Sequence, residues 1–232
     1  MKVIIPLAGP DFEFHNGGVK ADAVVHGRPL LRLALESRSW WRHRHITDSD
    51  IIFVLQDRPA SRRFSAEKLD QWYPSSKRVF ISDFTNGAAF SALAGFSLAA
   101  GVDEPVCVDL VDIVYSCDID PLVEFHDPTV GGVVIVFPSS NPAYSYLRMD
   151  SNGDLIEAAE KRVISNQASV GTYFFSSTAV FLVALAHNLR HHKEVTRNSL
   201  FYVCPMMNGV RAGGLRVLLR KASDVVDIKV PK

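Results

Sequence analysis

Short bursts of apolar, β-branched residues alternate along this chain with longer stretches in which apolar positions recur at helical spacing. The first burst is Val3-Ile4-Ile5-Pro6-Leu7-Ala8, closed by Gly9-Pro10. A run that is apolar on both faces and ends in a sharp turn has the profile of a strand inside a parallel sheet. After a polar loop with Gly17-Gly18 comes Gly27-Arg28-Pro29. Leu30, Leu31, Leu33, Ala34 and Leu35 then read as a helix that starts behind a proline. The rhythm repeats with a strand at 51–55, a helix at 65–72, a strand at 78–82, an alanine-rich helix at 87–100 and a strand at 106–111. Strands and helices alternating in this way predict a parallel α/β sheet with right-handed crossovers.

The second half has a different pattern. Strands at 132–137 and 144–149 are separated only by residues 138–142, and Asn152-Gly153 has the chemistry of a hairpin turn, so an antiparallel element is expected here. A strand at 168–175, a helix at 179–189, a helix at 200–210 and a strand at 215–219 complete the pattern. No repeat, low-complexity tract or linker divides the halves, which predicts one domain over residues 1–232.

Composition narrows the function classes. Of the 232 residues 47% are apolar, enough for a real core. Twenty-five basic residues balance 25 acidic ones, so no global field recruits nucleic acid or an anionic membrane. Cys107, Cys117 and Cys204 are odd in number, widely spaced and without a CxxC, which argues against a disulfide framework or a zinc site and for a reducing cytosol. The N-terminal apolar run is too short for a signal peptide or a membrane span.

Few residues advertise chemistry on their own. Gly9, Gly17-Gly18 and Lys20 lie after the first strand, where loop N–H groups and a lysine can cradle phosphate, although the spacing fits neither GxGxxG nor GxxxxGK[ST] and a plain turn accounts for the glycines. Asp109 and Asp112 end the strand at 106–111. Ligands gather at such carboxyl ends and a carboxylate there suits magnesium, yet aspartate also ends strands routinely, and Asp118 and Asp120 read as loop residues. Glu160, Lys161 and Arg162 read as a solvated charge cluster. His187, His191 and His192 read as polar surface, Cys107 as a small core hydrophobe, and Trp40-Trp41 with its basic neighbours as a helix end at the surface.

Taken in order, these segments resemble the nucleotidyltransferase family with a GT-A-like fold, which includes the sugar-phosphate nucleotidylyltransferases and the phosphocholine cytidylyltransferases. The likeness begins with Val3-Ile4-Ile5-Pro6-Leu7-Ala8-Gly9, continues through Lys20 with Gly27-Arg28-Pro29-Leu30-Leu31, and takes in Thr85-Asn86-Gly87-Ala88-Ala89. It then follows residues 105–112, 134–137 and Tyr144-Ser145-Tyr146, next Glu160-Lys161 with Ile164-Ser165, Ala168, Gly171, Tyr173 and Phe175. Phe201-Tyr202-Val203, Pro205 and Asn208 close the series. The fold it implies is a three-layer α/β/α domain around a mostly parallel mixed sheet, with a nucleotide-binding half over about 1–125 and an acceptor-binding half over about 126–232.

The resemblance also implies roles. Leu7, Ala8 and Gly9 would hold the nucleotide, Thr85, Gly87 and Ala88 would border base and ribose, and Lys20 would contact phosphate. Asp112 would bind the catalytic Mg2+, with Asp227 as a second metal-binding aspartate ahead of the family's Gly-Thr-Pro segment, here Lys229-Val230-Pro231. Tyr146, Glu160, Lys161 and Gly171 would form the pocket for the phosphorylated acceptor. The implied partners are a nucleoside triphosphate and a phosphorylated small molecule, and the implied setting is cytoplasmic synthesis of sugar nucleotides for surface polysaccharide. The family extends past the position matched by Lys232, which leaves room for a further segment downstream.

One departure bears on activity. The family's loop is Gly-x-Gly-x-Arg-Phe, its arginine binding the β- and γ-phosphates, whereas this chain has Gly9-Pro10-Asp11-Phe12-Glu13-Phe14, and Val19 replaces the proline before the lysine. A carboxylate about 4 Å from phosphate costs about 4 kcal/mol at an effective dielectric of about 20. Glu13 in the arginine's place, together with the donor N–H that Pro10 lacks, would therefore remove on the order of several thousand-fold of rate or affinity. The alternatives are a loop shifted so that Gly17-Gly18 meets the phosphates with Arg28 or another cation substituting, or an acidic pair that binds an extra metal. Three functions follow: an active nucleotidyltransferase, a regulatory homologue that binds nucleotide or sugar phosphate without turnover, and a GT-A glycosyltransferase, against which the lack of a DxD triad at the strand end speaks.

Overall fold

The structure is a computed structural model that describes residues 1–227 apart from Asn16, Arg44 and Ala100. The segment Lys229-Val230-Pro231 lies outside the described residues. In chain order the strands are β1 (Lys2–Leu7), β2 (Val24–Val25), β3 (Arg28–Pro29), β4 (Ile51–Gln56), β5 (Lys77–Ile81), β6 (Val106–Asp109) and β7 (Ile113–Ser116). They continue with β8 (Val130–Pro138), β9 (Tyr146–Met149), β10 (Leu155–Ala159), β11 (Gln167–Phe175), β12 (Arg216–Lys221) and β13 (Ser223–Asp227).

One nine-stranded sheet runs through both halves of the chain in the order β10-β9-β11-β6-β1-β4-β5, with β8 on the other edge of β11 and β12 beside β8. β6, β1, β4 and β5 form a parallel block. The long β11 runs antiparallel to β6, β8 and β9, and so joins that block to the second half. β7 and β13 pair as a separate antiparallel ribbon, and β2 and β3 as another.

Period-two alternation splits the core between the two faces of the sheet. Val3, Ile5, Leu7, Ile51, Phe53 and Leu55 face the helix Leu30–Leu35 and the helical stretch 59–72. Ile4, Ile52 and Val54 face the helices Ala88–Phe96, Thr178–Arg190 and Met206–Ala212. The three-layer α/β/α arrangement and the mixed sheet with its parallel block are those expected of the sequence.

Several local expectations give way to tertiary contacts. The helix expected at 65–72 begins at Pro59, a proline in the first turn, and passes through a π-helical segment, Ser65–Leu69. The helix expected over 200–210 starts only at Met206, because the Phe201 backbone is tied to the 86–89 segment. The strand expected to reach Val111 stops at Asp109, where the chain turns away. Trp40, expected near the surface, is buried in the core. Among the described residues, no helix is long and apolar enough to cross a membrane.

Candidate active site

Three adjoining recesses of about 160, 400 and 600 Å³ open at the carboxyl ends of β1 and β6 and share Asp11 on their walls. They form one cleft, at the place where open α/β sheets bind ligands.

The loop after β1 builds the first wall. Leu7, Ala8 and Gly9 line the cleft, and the Phe12 N–H donates to the Gly9 carbonyl at 3.1 Å to close a turn. Phe12 is buried with its ring edge-on to Phe64, which leaves Asp11 facing the cleft. The Lys20 ammonium lies 3.6 Å from Asp11 Oδ2. Glu13 does not stand among the cleft residues. Its Oε1 accepts from the N–H and hydroxyl of Ser61, at 2.9 and 2.6 Å, in the first turn of the helix Pro59–Phe64. The repulsion expected from Glu13 therefore does not arise, since the helix start satisfies its charge. Arg28 pairs with Glu36, and Arg28, Gly17 and Gly18 stand outside the lining of the cleft, the Gly17 N–H donating to the Phe14 carbonyl at 3.0 Å.

Thr85, Gly87 and Ala88 line the widest recess, at the N-terminus of the helix Ala88–Phe96. Gly87 has φ +109°, and a Cβ there would lie 2.3 Å from the Phe201 carbonyl oxygen. Phe201 N–H donates to Asn86 O at 2.7 Å, and Ala89 N–H donates to Phe201 O at 3.1 Å. The Thr85 hydroxyl donates to the Gly87 carbonyl at 3.0 Å. The helix start, with its partial positive charge, is thus held open to the cleft.

The acidic centre combines distant parts of the chain. Asp112 follows β6, and Asp227 ends β13, which the ribbon pairs with Ile113 next to Asp112. The Tyr144 hydroxyl donates to Asp227 Oδ2 at 2.6 Å. Burial pushes the Asp112 carboxyl up to about 6; Lys20 opposes this, while Asp109 and Asp227 add to it. Asp109, read as a companion to Asp112, points into the core and pairs there with Arg38. Two carboxylates at a cleft wall are a donor set that fits Mg2+, a hard ion that takes few protein ligands and keeps its waters. Among the described residues no group of three or more His, Cys, Asp or Glu side chains converges on one point.

Glu160, Lys161 and Gly171 line the far side. Glu160 is partly buried and accepts from the Ser145 hydroxyl, with burial raising its pKa, so it is no solvated surface charge. Lys161 lies over the Tyr202 ring, 5.3 Å from its centre. Gly171 has φ +87°, and a Cβ there would sit 3.4 Å from Asp112 Oδ1. Tyr146 stands apart: it is fully buried behind the wall, and its hydroxyl donates to Asn141 O at 2.7 Å. The sequence alone assigned no role to Tyr144, Ser145 or Tyr202, although all three fall in the matched series; only their convergence on Asp227, Glu160 and Lys161 distinguishes them.

No protein-family description matches the sequence, and no curated protein matches it. Among solved structures, the chain is similar to a nucleoside-diphosphate-sugar pyrophosphorylase from Vibrio cholerae RC9, with 21% identity, a TM-score of 0.81, and coverage of 100% of this chain and 96% of that one. It is also similar to a candidate glucose-1-phosphate thymidylyltransferase from Bacillus anthracis solved in complex with sucrose, with 20% identity, a TM-score of 0.73, and coverage of 98% and 89%. The chain therefore has the fold of the sugar nucleotidyltransferases.

Proposed function

We propose that the chain is a magnesium-dependent nucleotidyltransferase that joins a nucleoside triphosphate to a sugar phosphate or similar phosphorylated acceptor and releases pyrophosphate. The observation that carries this reading is the placement of Asp112 and Asp227 side by side at the carboxyl end of β6, with Lys20 on one wall and the start of the helix Ala88–Phe96 on another. An acceptor phosphate oxygen attacks the α-phosphorus in line, the bond to the bridging oxygen breaks, and pyrophosphate leaves with its charge. Leu7, Ala8, Gly9, Thr85, Gly87 and Ala88 bind and orient the nucleotide. Lys20 neutralises its phosphates, and Glu160, Lys161 and Gly171 shape the acceptor's place. Asp112 and Asp227 would hold Mg2+, which supplies charge neutralisation on the phosphates when bound. No protein nucleophile is needed, because positioning and electrostatics carry phosphoryl-transfer catalysis. Three free cysteines fit a reducing, cytoplasmic setting.

The test is pyrophosphate release from each of the four ribonucleoside triphosphates and dTTP, with a panel of sugar phosphates and phosphocholine, in wild type and Asp112→Asn. Release that needs Mg2+ and is lost in the variant supports the reading; equal release by both refutes it. The Asp11–Lys20 pair favours a second reading, a homologue that binds nucleotide or sugar phosphate without turnover. Nucleotide binding with no pyrophosphate from any acceptor is its signature.

A further inference from the structure

The turn that presents Asp112 is backbone-strained. Val111 has φ +50°, in the left-handed region that a β-branched residue rarely adopts, and its side chain is 4% exposed. Behind it lies an ion pair whose two side chains are fully buried. Arg38 Nε and Nη2 donate to the two carboxylate oxygens of Asp109 at 2.8 and 3.0 Å. Asp109 Oδ1 also accepts the Val111 N–H at 2.9 Å. The guanidinium rests on the Tyr115 ring at 4.0 Å, and the Tyr115 hydroxyl donates to Thr172 Oγ1 at 2.9 Å. On the other side of the turn the Leu110 N–H donates to the Gly171 carbonyl at 3.0 Å.

A buried ion pair is weak evidence for stability, because desolvating both charges offsets their attraction, and an apolar pair of similar volume often serves as well. The work of this pair lies in direction. Neither Arg38 nor Asp109 lines the cleft. They reach toward it through the hydrogen bond from the Val111 N–H to Asp109 Oδ1, which fixes the residue before Asp112 in a conformation its side chain disfavours. We propose that Arg38 and Asp109 form a positioning clamp that holds Val111 left-handed and thereby sets the Asp112 carboxylate in the cleft. The inference rests on the reading of Asp112 as a ligand of metal and phosphate.

The test is the double variant Arg38→Met/Asp109→Leu, which keeps the site packed and removes the clamp. Its melting temperature stays within about 3 °C of wild type. The 13C shifts of Val111 leave the left-handed pattern, and calorimetric affinity for a nucleoside triphosphate in Mg2+ weakens about tenfold, about 1.4 kcal/mol at 25 °C, the size of left-handed strain. Adding Val111→Gly lets the turn adopt positive φ without strain. Affinity then returns to within about threefold of wild type while the melting temperature falls with the lost valine. A merely structural pair would not give opposite movements in the two readouts.

Retention of the left-handed shifts in the double variant, or failure of the glycine to restore affinity, overturns the clamp. If wild type binds no triphosphate, the proposed function fails, and the Val111 shifts together with a crystal structure of the variant still decide whether the turn and Asp112 move. Should the double variant not fold, Arg38→Lys keeps the charge but donates to one oxygen, and the same shifts and about a threefold loss of affinity are expected.

Discussion

Asp11 is the residue that sets this cleft apart from the pattern it resembles, and its removal has a calculable consequence. The Asp11 carboxylate lies 3.6 Å from the Lys20 ammonium. A phosphate that reaches Lys20 must therefore share it with a carboxylate about 4 to 5 Å away. At such a separation two unit charges repel by about 1 kcal/mol in bulk water and by about 4 at an effective dielectric of about 20. Asp11 is 56% exposed, which places the cost near the lower end, about 1 to 2 kcal/mol. Asp11→Asn removes the charge and keeps the shape. Affinity for a nucleoside triphosphate in Mg2+ should rise about 5- to 30-fold, measured by calorimetric titration. The gain should shrink between about 0.05 and 0.5 M salt, because the pair is solvent-screened. Unchanged or weaker binding would refute the reasoning and mean that Asp11 holds Lys20 in its working position or itself contributes to a bound cation.

Three further outcomes can be checked. Asp112 titrates at about 6, above its unfolded value of about 3.9, so the folded state binds the proton more tightly and stability falls as pH rises from about 4 to 6. Asp112→Asn should therefore melt higher than wild type at pH 8 and equally at pH 4, while Mg2+-dependent nucleotide binding weakens in wild type as pH drops through about 6; a constant difference in melting temperature would contradict this. Gly87→Ala places a Cβ 2.3 Å from Phe201 O at φ +109°, and should cost about 2 to 4 kcal/mol in urea unfolding, with an unchanged midpoint as the contrary result. Tyr144→Phe removes the hydrogen bond to Asp227 and should weaken Mg2+ binding about tenfold, as read by isothermal titration with the nucleotide present.

The parallel block was legible because β1 and β4 are apolar on both faces, and only a sheet covered by helices on both sides uses such strands. Less legible was whatever depended on pairing between distant segments. β7 and β13 are short and half-polar, so neither announces a strand; each exists because the other pairs with it, and that pairing brings Asp227 beside Asp112. Phe201 lies in a run with helical composition, yet its N–H and carbonyl are claimed by Asn86 and Ala89. Glu13 shows the same limit from the other direction. Its place in the loop implies repulsion with phosphate, but the chain brings the start of a helix within reach, and a local motif comparison has no access to that partner.

The charges gathered in the cleft constrain how a substrate can enter. Asp11, Asp112, Glu160 and Asp227 face it against Lys20 and Lys161, four carboxylates to two ammonium groups. A bare triphosphate would meet net negative charge, and the lysine nearest the first loop is already engaged by Asp11. The raised Asp112 and Glu160 carboxyls express the same condition, since burial makes their charge costly and Lys20 and Lys161 offset only part of that cost. Under the proposed function, nucleotide and divalent cation must then bind with strong positive coupling, each lowering the electrostatic cost of the other. Calorimetric titrations should find that Mg2+ strengthens triphosphate binding more in wild type than in Asp112→Asn, and independent binding of metal and nucleotide would show that this charge balance does not govern the site.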